Sequence, residues 1–195
     1  MSKPTLVVSC PIDTYSGYGA RSRDFVQSII DTDKYDVKIL SQRWGNTRFN
    51  YLKDHNNTSL SSRTISQLAQ QPDIWIQITV PNEFQKVGKY NIGVTAGIET
   101  TLCDSSWIEG CNNMDLVLVS SEHAKKVFEE SKFTRQDNNK QVIGEVSLRT
   151  KVEVLFEGAD IEKYTPLALP VRLDLSDVYE NFNYLVIGHW LPGEV

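Results

Sequence analysis

The chain has 195 residues, with 20 Lys+Arg against 25 Asp+Glu, a formal net charge of −5 and a pI near 5.2. That length suits one domain, or one and part of a second, and 40% hydrophobic with 10% aromatic residues excludes wholesale disorder. A mildly acidic chain is a poor general binder of nucleic-acid backbones or anionic membranes, and no apolar run approaches the ~20 residues that span a bilayer.

In chain order, residues 5–9 (TLVVS) open the pattern as a short buried strand. Only Lys3 precedes it as a charge, so the N-terminus does not have the form of a signal peptide. Ser16 or Gly17 then starts a helix whose Phe25, Val26, Ile29 and Ile30 share a face. A second strand covers 37–40, and the polar, Asn-rich stretch 42–59 reads as a long loop. The spacing predicts a weak helix over 62–70, stopped by Pro72.

Strands follow at 73–78, 90–95 and 115–119. Between the last two, Ser106 and Glu109 have capping-box spacing. Ser120 or Ser121 caps a helix through Ala124, Val127 and Phe128, the polar stretch 134–150 reads as a mobile excursion, and 152–156 is a sixth strand. Alternating strands and helices, with strands that are apolar along their length, predict an α/β fold: a Rossmann-like parallel sheet flanked by helices. Residues 1–168 form that domain. Residues 169–195 read as a linker and the first strand (184–188) of a second domain, truncated at Val195. Cys10, Cys103 and Cys111, odd in number and without C-x-x-C spacing, point to reduced thiols in a cytoplasm rather than a disulfide framework or a zinc site.

Three segments have the composition of a site. Ser16-Gly17-Tyr18-Gly19, with Arg21 and Arg23 after it, lies between the first strand and the first helix. Glycines there let a ligand approach the backbone, and a helix N-terminus offers N–H groups to an anion; a tight turn needing glycine only for its shape fits equally. The dinucleotide pattern G-x-G-x-x-G has Ser22 at its third glycine, and Ser41-Gln42-Arg43 follows the second strand where an acidic residue is expected, which counts against a nicotinamide cofactor. Glu99, in Gly97-Ile98-Glu99-Thr100-Thr101, falls just past the carboxyl end of the fourth strand, where parallel sheets gather ligands. Its carboxylate could bond sugar hydroxyls, act as a base, or serve the dipole of the next helix. The third segment runs from Phe156 to Pro166 and by itself reads as a turn into extended chain. His123 reads as a surface histidine. No Ser/His/Asp order, metal-ligand cluster or phosphate-loop lysine is present in the sequence.

In order and spacing, four segments resemble the N-terminal domain of GT-B-fold glycosyltransferases, in particular the retaining family 4 group. They are Ser16-Gly17-Tyr18-Gly19 with Ser22-Arg23; Gly97-Ile98-Glu99-Thr100 with Trp107; residues 115–122 (DLVLVSSE) leading to Val127-Phe128; and residues 154–166 (VLFEGADIEKYTP). The start of the tail, 184–190 (YLVIGHW), resembles the strand that opens that family's donor domain. Glu157 stands where Asn or His is more usual before the glycine, Ala159 where Val is common, and no His occurs between His55 and His123.

The resemblance implies transfer of a sugar from a nucleotide-sugar donor to a saccharide or other hydroxyl acceptor, with retention. It implies no resident cofactor and no metal. Ser16, Gly17 and Gly19 would lie by the donor phosphates, Glu99 would act in the cleft, and Tyr18, Arg23 and Thr100 would meet the acceptor. The family's E-x7-E carboxylates and basic diphosphate-binding pair would belong to the second domain, which leaves this chain incomplete as an enzyme. The alternative is a glycosyltransferase-like domain that binds a carbohydrate or partner without transferring anything.

Overall fold

In a parallel sheet covered on both faces, a strand has no solvent side, so its sequence is apolar at every position rather than at every second one. β1 (Thr5–Cys10) follows that rule, with five consecutive buried residues after Thr5, and β4 (Ile74–Ile78) with four after Ile74. The computed structural model describes residues 3–137, 139–162, 165, 176–180 and 182–184. Between β1 and β4 come α1 (Gly17–Asp31), β2 (Asp36–Ser41), the one-turn helices α2 (Tyr51–Asp54) and α3 (Thr58–Ser61), and the two-residue strand β3 (Thr64–Ile65). After them come β5 (Tyr90–Thr95), α4 (Ser105–Cys111), β6 (Leu116–Val119), α5 (Glu122–Glu130), β7 (Lys132–Gln136), β8 (Val142–Ser147) and β9 (Lys151–Val154).

Seven strands pair in the order β3-β2-β1-β4-β5-β6-β9, all parallel. Leu6 is in register with Val37 on one side and Ile74 on the other. The fold is therefore α/β, with a Rossmann-like parallel sheet flanked by helices, as the strand pattern predicts. Two clusters of buried side chains hold it together. One joins Leu6, Val8 and Ile78 to Val26 of α1; the other joins Val117 and Val119 to Ile108 of α4 and to Val127 and Phe128 of α5. Strand order reverses beside β1, since the chain proceeds outward to β2 and β3 and then returns to β4 on the opposite side. In open parallel sheets such a switch point opens a crevice at the carboxyl ends of the strands.

Four local expectations are corrected. Residues 62–70 are not helical: Thr64 and Ile65, both β-branched, pair with Ile39 and Leu40 as an edge strand. The 42–59 loop contains α2 and α3. The cap of α4 is Asp104, whose carboxylate accepts from Ser106 N at 2.8 Å, while Glu109 pairs with Arg135. Finally, much of the 134–150 stretch forms the antiparallel hairpin β7–β8, which buries Val146 in the second core cluster. Asn112, at the end of α4, clamps this hairpin: its Nδ2 donates to Ser147 O and its Oδ1 accepts from Arg149 N, at 2.9 and 2.7 Å.

The chain divides into two compact units, Met1–Glu157 and Gly158–Val195. In the second, Glu162 N donates to Asp160 Oδ1 at 3.1 Å and the rings of Phe182 and Tyr184 meet edge to face at 4.8 Å. Most of the expected linker, and all of the expected strand over 184–188 except Tyr184, lie outside the described residues. Among the described residues no helix is long and apolar enough to cross a membrane.

Candidate functional site at the carboxyl ends of the strands

The loop from β1 into α1 is built to end a strand and cap a helix. Ser16 is the N-cap, in extended conformation, and its Oγ accepts from Gly19 N at 2.9 Å while lying 2.8 Å from Thr14 Oγ1. The cap thus takes up the Gly19 N–H and leaves Gly17 and Tyr18 with the orphan donors of the first turn. The two glycines differ in purpose. A Cβ on Gly19 would come within 2.3 Å of Thr14 O, so Gly19 lets the helix pack against its own entry loop. A Cβ on Gly17 would meet nothing within 4 Å, and Gly17 is exposed.

Arg23 is turned into the protein. It is buried, and its Nη1 donates to Ile12 O and Thr14 O at 2.9 and 2.8 Å. Its guanidinium lies 3.4 Å from the centre of the Tyr51 ring. Burial pulls its pKa below the ordinary arginine value, opposed by the nearby Tyr51, Asp24 and Asp13. Asp13 caps α2 from a distance: Leu52 N donates to Asp13 Oδ1 at 2.7 Å, and Tyr51 N to Asp13 O at 3.0 Å. Arg23 therefore braces the β1–α1 loop against α2.

Tyr18 points across the sheet. Its hydroxyl accepts from Ala96 N at 3.1 Å and lies 3.3 Å from Thr95 Oγ1, at the carboxyl end of β5. Its ring stacks on Trp44, with centroids 4.1 Å apart. Trp44 follows β2 in a turn closed by Thr47 N donating to Trp44 O, at 3.1 Å, and the φ of +50° at Gly45 lets the chain reverse there.

The Glu99 loop leaves β5 at the same end. Gly97 has a φ of +87°, and a Cβ there would come 2.4 Å from that of Ala124, so only glycine lets this loop pass over the start of α5. Ser120 Oγ donates to Ala96 O at 3.0 Å, and His123 Nε2 lies 3.2 Å from Glu99 O. The Glu99 side chain is exposed and makes no ion pair or hydrogen bond among the described residues. It does not cap α4, since Asp104 does. Thr100 is exposed, and its Oγ1 donates to Leu102 O at 2.8 Å.

Beyond β9 the chain returns over the strand ends. Leu155 N donates to Val119 O at 2.8 Å, Arg21 Nη2 donates to Leu155 O at 3.3 Å, and Arg21 Nη1 pairs with Glu157 at 2.5 Å. No family model, curated protein or solved structure matches the chain. The local geometry alone shows that the glycine loop, the Glu99 loop, the start of α5 and the Leu155–Glu157 segment converge at one end of the sheet.

Ser16, Gly17, Tyr18 and Gly19 share the first turn of α1, and Glu99 and Thr100 share the next loop along. Trp44 stands out only in three dimensions, as does Glu83; Arg21 and Glu157 lie in segments that the sequence singles out, and the structure adds the contact between them. The sequence hint for Trp44 is an indole in an otherwise polar loop directly after a strand. Among the described residues no group of three or more His, Cys, Asp or Glu is placed to hold a metal.

Proposed function

We propose that this domain is the N-terminal, acceptor-side half of a GT-B-fold glycosyltransferase of the retaining family 4 type, moving a sugar from a nucleotide-sugar to a hydroxyl acceptor. A single observation carries the reading: the segments that resemble the family, far apart in sequence, are bonded together at the carboxyl ends of the strands. Tyr18 ties the first to the end of β5, directly before the second; Ser120 and His123 tie the third to the second; Arg21 ties the fourth to the first.

In this reading Gly17, open above the first turn of α1, admits the donor phosphates or the transferring sugar to the Gly17 and Tyr18 N–H groups. Ser16 and Gly19 keep that turn in shape. Glu99 presents a carboxylate to the reacting sugar, Tyr18 and Thr100 flank the acceptor, and Arg23 supports the loop from behind. Catalysis would rest on positioning and on stabilising charge on the departing diphosphate, the latter supplied largely by a donor domain.

The test compares the 195-residue chain with the product of its reading frame extended past Val195. Each is given a panel of nucleotide-sugars with simple saccharide acceptors, and nucleoside diphosphate release is followed. Acceptor-dependent release by the extended product, and none by the shorter chain, is the expected result. Saccharide binding without release by any extended product overturns transfer and leaves a carbohydrate-binding domain.

A further inference from the structure

We infer that the cleft beside Trp44 binds a neutral, unphosphorylated pyranose, so that the hydroxyl acceptor of the proposed reaction is an uncharged saccharide. The inference rests on the glycosyltransferase reading for the word acceptor, but not for the binding site itself. The cleft, about 420 Å³, is lined by Arg43, Trp44, Gly45, Asn46, Thr47, Val80 and Glu83. That volume is within the range of small-molecule sites, roughly 300–1,000 Å³. Its two walls are the loops after β2 and after β4, which places it over the carboxyl end of β1 at the switch point of the sheet.

Several features give this cleft the character of a built site. Trp44 is stacked on Tyr18, and the Tyr18 hydroxyl is anchored at Thr95 and Ala96, so the indole is held before any ligand arrives. Next to it, Gly45 adds no side chain to the lining and has open space where a Cβ would stand. The opposite wall is equally fixed. Buried Gln77 donates through Nε2 to Glu83 O at 2.9 Å and accepts from Gln85 N at 2.9 Å, and Thr79 Oγ1 donates to the Glu83 carboxylate.

The chemistry of the lining selects the ligand class. A pyranose has an apolar C–H face that lies against an aromatic ring and an edge of hydroxyls that needs donors and acceptors. The indole and Val80 match the first; the Asn46 amide, the Thr47 hydroxyl and the Glu83 carboxylate match the second. Phosphate is disfavoured because the lining has one cation and one anion, and the cation, Arg43, packs over the Phe49 ring at 5.3 Å. A flat nucleobase could stack on the same indole, and the experiment separates the two.

Saturation-transfer NMR on the 195-residue chain, with methyl α-D-glucopyranoside, methyl α-D-mannopyranoside and methyl α-D-galactopyranoside, tests the inference. At least one glycoside should show transfer concentrated on the ring C–H protons of one face. Trp44→Ala should weaken its binding about tenfold, and Trp44→Phe, which preserves a ring for Tyr18 to stack on, should weaken it less. Asn46→Ala, which leaves the aromatic pair intact, should also weaken binding and so guards against a merely misfolded Trp44→Ala.

Absence of transfer from every glycoside at high millimolar concentration, or binding indifferent to both Trp44→Ala and Asn46→Ala, overturns the proposal. So does competition by inorganic phosphate or by uridine. The two readings fail separately. Turnover by the extended product with an acceptor KM unchanged in Trp44→Ala sinks the cleft and spares the glycosyltransferase. Glycoside binding at Trp44 without turnover does the reverse.

Discussion

Gly17 and Gly19 lie in one helical turn and meet opposite surroundings, which makes them a controlled pair. In Gly19→Ala the new methyl group is driven against Thr14 O, a backbone atom of the loop that Arg23 also holds. It cannot swing aside as a flexible side chain would, so a loss of about 1–3 kcal/mol is expected, read as a lower urea midpoint. Gly17→Ala meets open space and should remain within about 0.5 kcal/mol of the parent. If Gly17 serves ligand approach, the same change reduces turnover in the extended product with no loss of stability. Equal destabilisation by both variants would show that the first turn of α1 is packed differently. The cysteines give a second test at this scale. Cys10 and Cys111 have thiols pushed up to about 12, first of all by burial, and burial raises Cys103 as well. A thiol reacts as its thiolate, so at about pH 8 the native chain should be nearly inert to a thiol reagent. All three cysteines should become reactive on unfolding. Rapid modification of the native chain would contradict that burial.

Carboxylates between elements link strand packing to pH. Asp115 accepts from Asn91 N and Asn91 Nδ2 at 2.8 and 3.1 Å, at the start of β6 beside β5. Asp73 accepts from Thr5 N at 2.9 Å and from Lys89 Nζ at 2.7 Å, beside the start of β1. These hydrogen bonds favour the ionised form, so both pKa values fall below the ordinary aspartate value, Asp115 through Asn91 first and Asp73 through Lys89 first. A lowered folded pKa contributes stability that is present above the unfolded value, about 3.9, and is lost as pH falls through the folded value. Asp115→Asn should therefore melt below the parent at neutral pH, and the gap between them should close below about pH 4. A gap independent of pH would assign its cause to shape rather than charge.

Elements were legible in the sequence where burial imposes a pattern over several residues. β1, β4 and β6 are near-continuous apolar runs, β5 carries Ile92 and Val94 at its centre, and α1 carries its apolar face at helical spacing. Elements decided by a distant partner were not. Thr64 and Ile65 become a strand because β2 offers an open edge. The β7–β8 hairpin is mostly exposed, and its place is fixed by Val146 and by Asn112 at the end of α4, over thirty residues away from Ser147. Asp104 and Ser106 are both good caps, so local preference did not choose between them. Amide exchange should be slow at the Phe133–Val146 end of this hairpin, and fast towards Asp137 and Lys140. Uniformly fast exchange along both strands would restore the mobile excursion that composition suggests.

At the scale of the molecule, the candidate site arises because the sheet gathers loops that the sequence keeps apart. The glycine loop and the Glu99 loop were legible, since each follows a recognisable strand. Trp44 and Glu83 were not, because their shared cleft depends on strand order, which becomes known only once β4 is found beside β1. Arg21 shows how the gathered loops are held. Its side chain is 15% exposed, against 53% for Glu157, and it links the N-terminal part of α1 to the segment after β9. A half-exposed ion pair is worth up to about 1 kcal/mol, so the link should bias the Leu155–Glu157 segment without governing the fold. Phe156, 70% exposed, supplies a chymotrypsin site in that segment. When opening and reclosing are fast, cleavage follows the open population, and 1 kcal/mol corresponds to about a fivefold change in it. Arg21→Ala and Glu157→Gln should each accelerate cleavage at Phe156 by up to about fivefold, with thermal melting nearly unchanged. The double variant should be no faster than Arg21→Ala alone, because Arg21→Ala already removes the ion pair that Glu157→Gln weakens. Additive acceleration would mean that the two side chains restrain the segment independently. Cleavage unaffected by either change would mean that Leu155 N donating to Val119 O is enough to hold the chain across the strand ends.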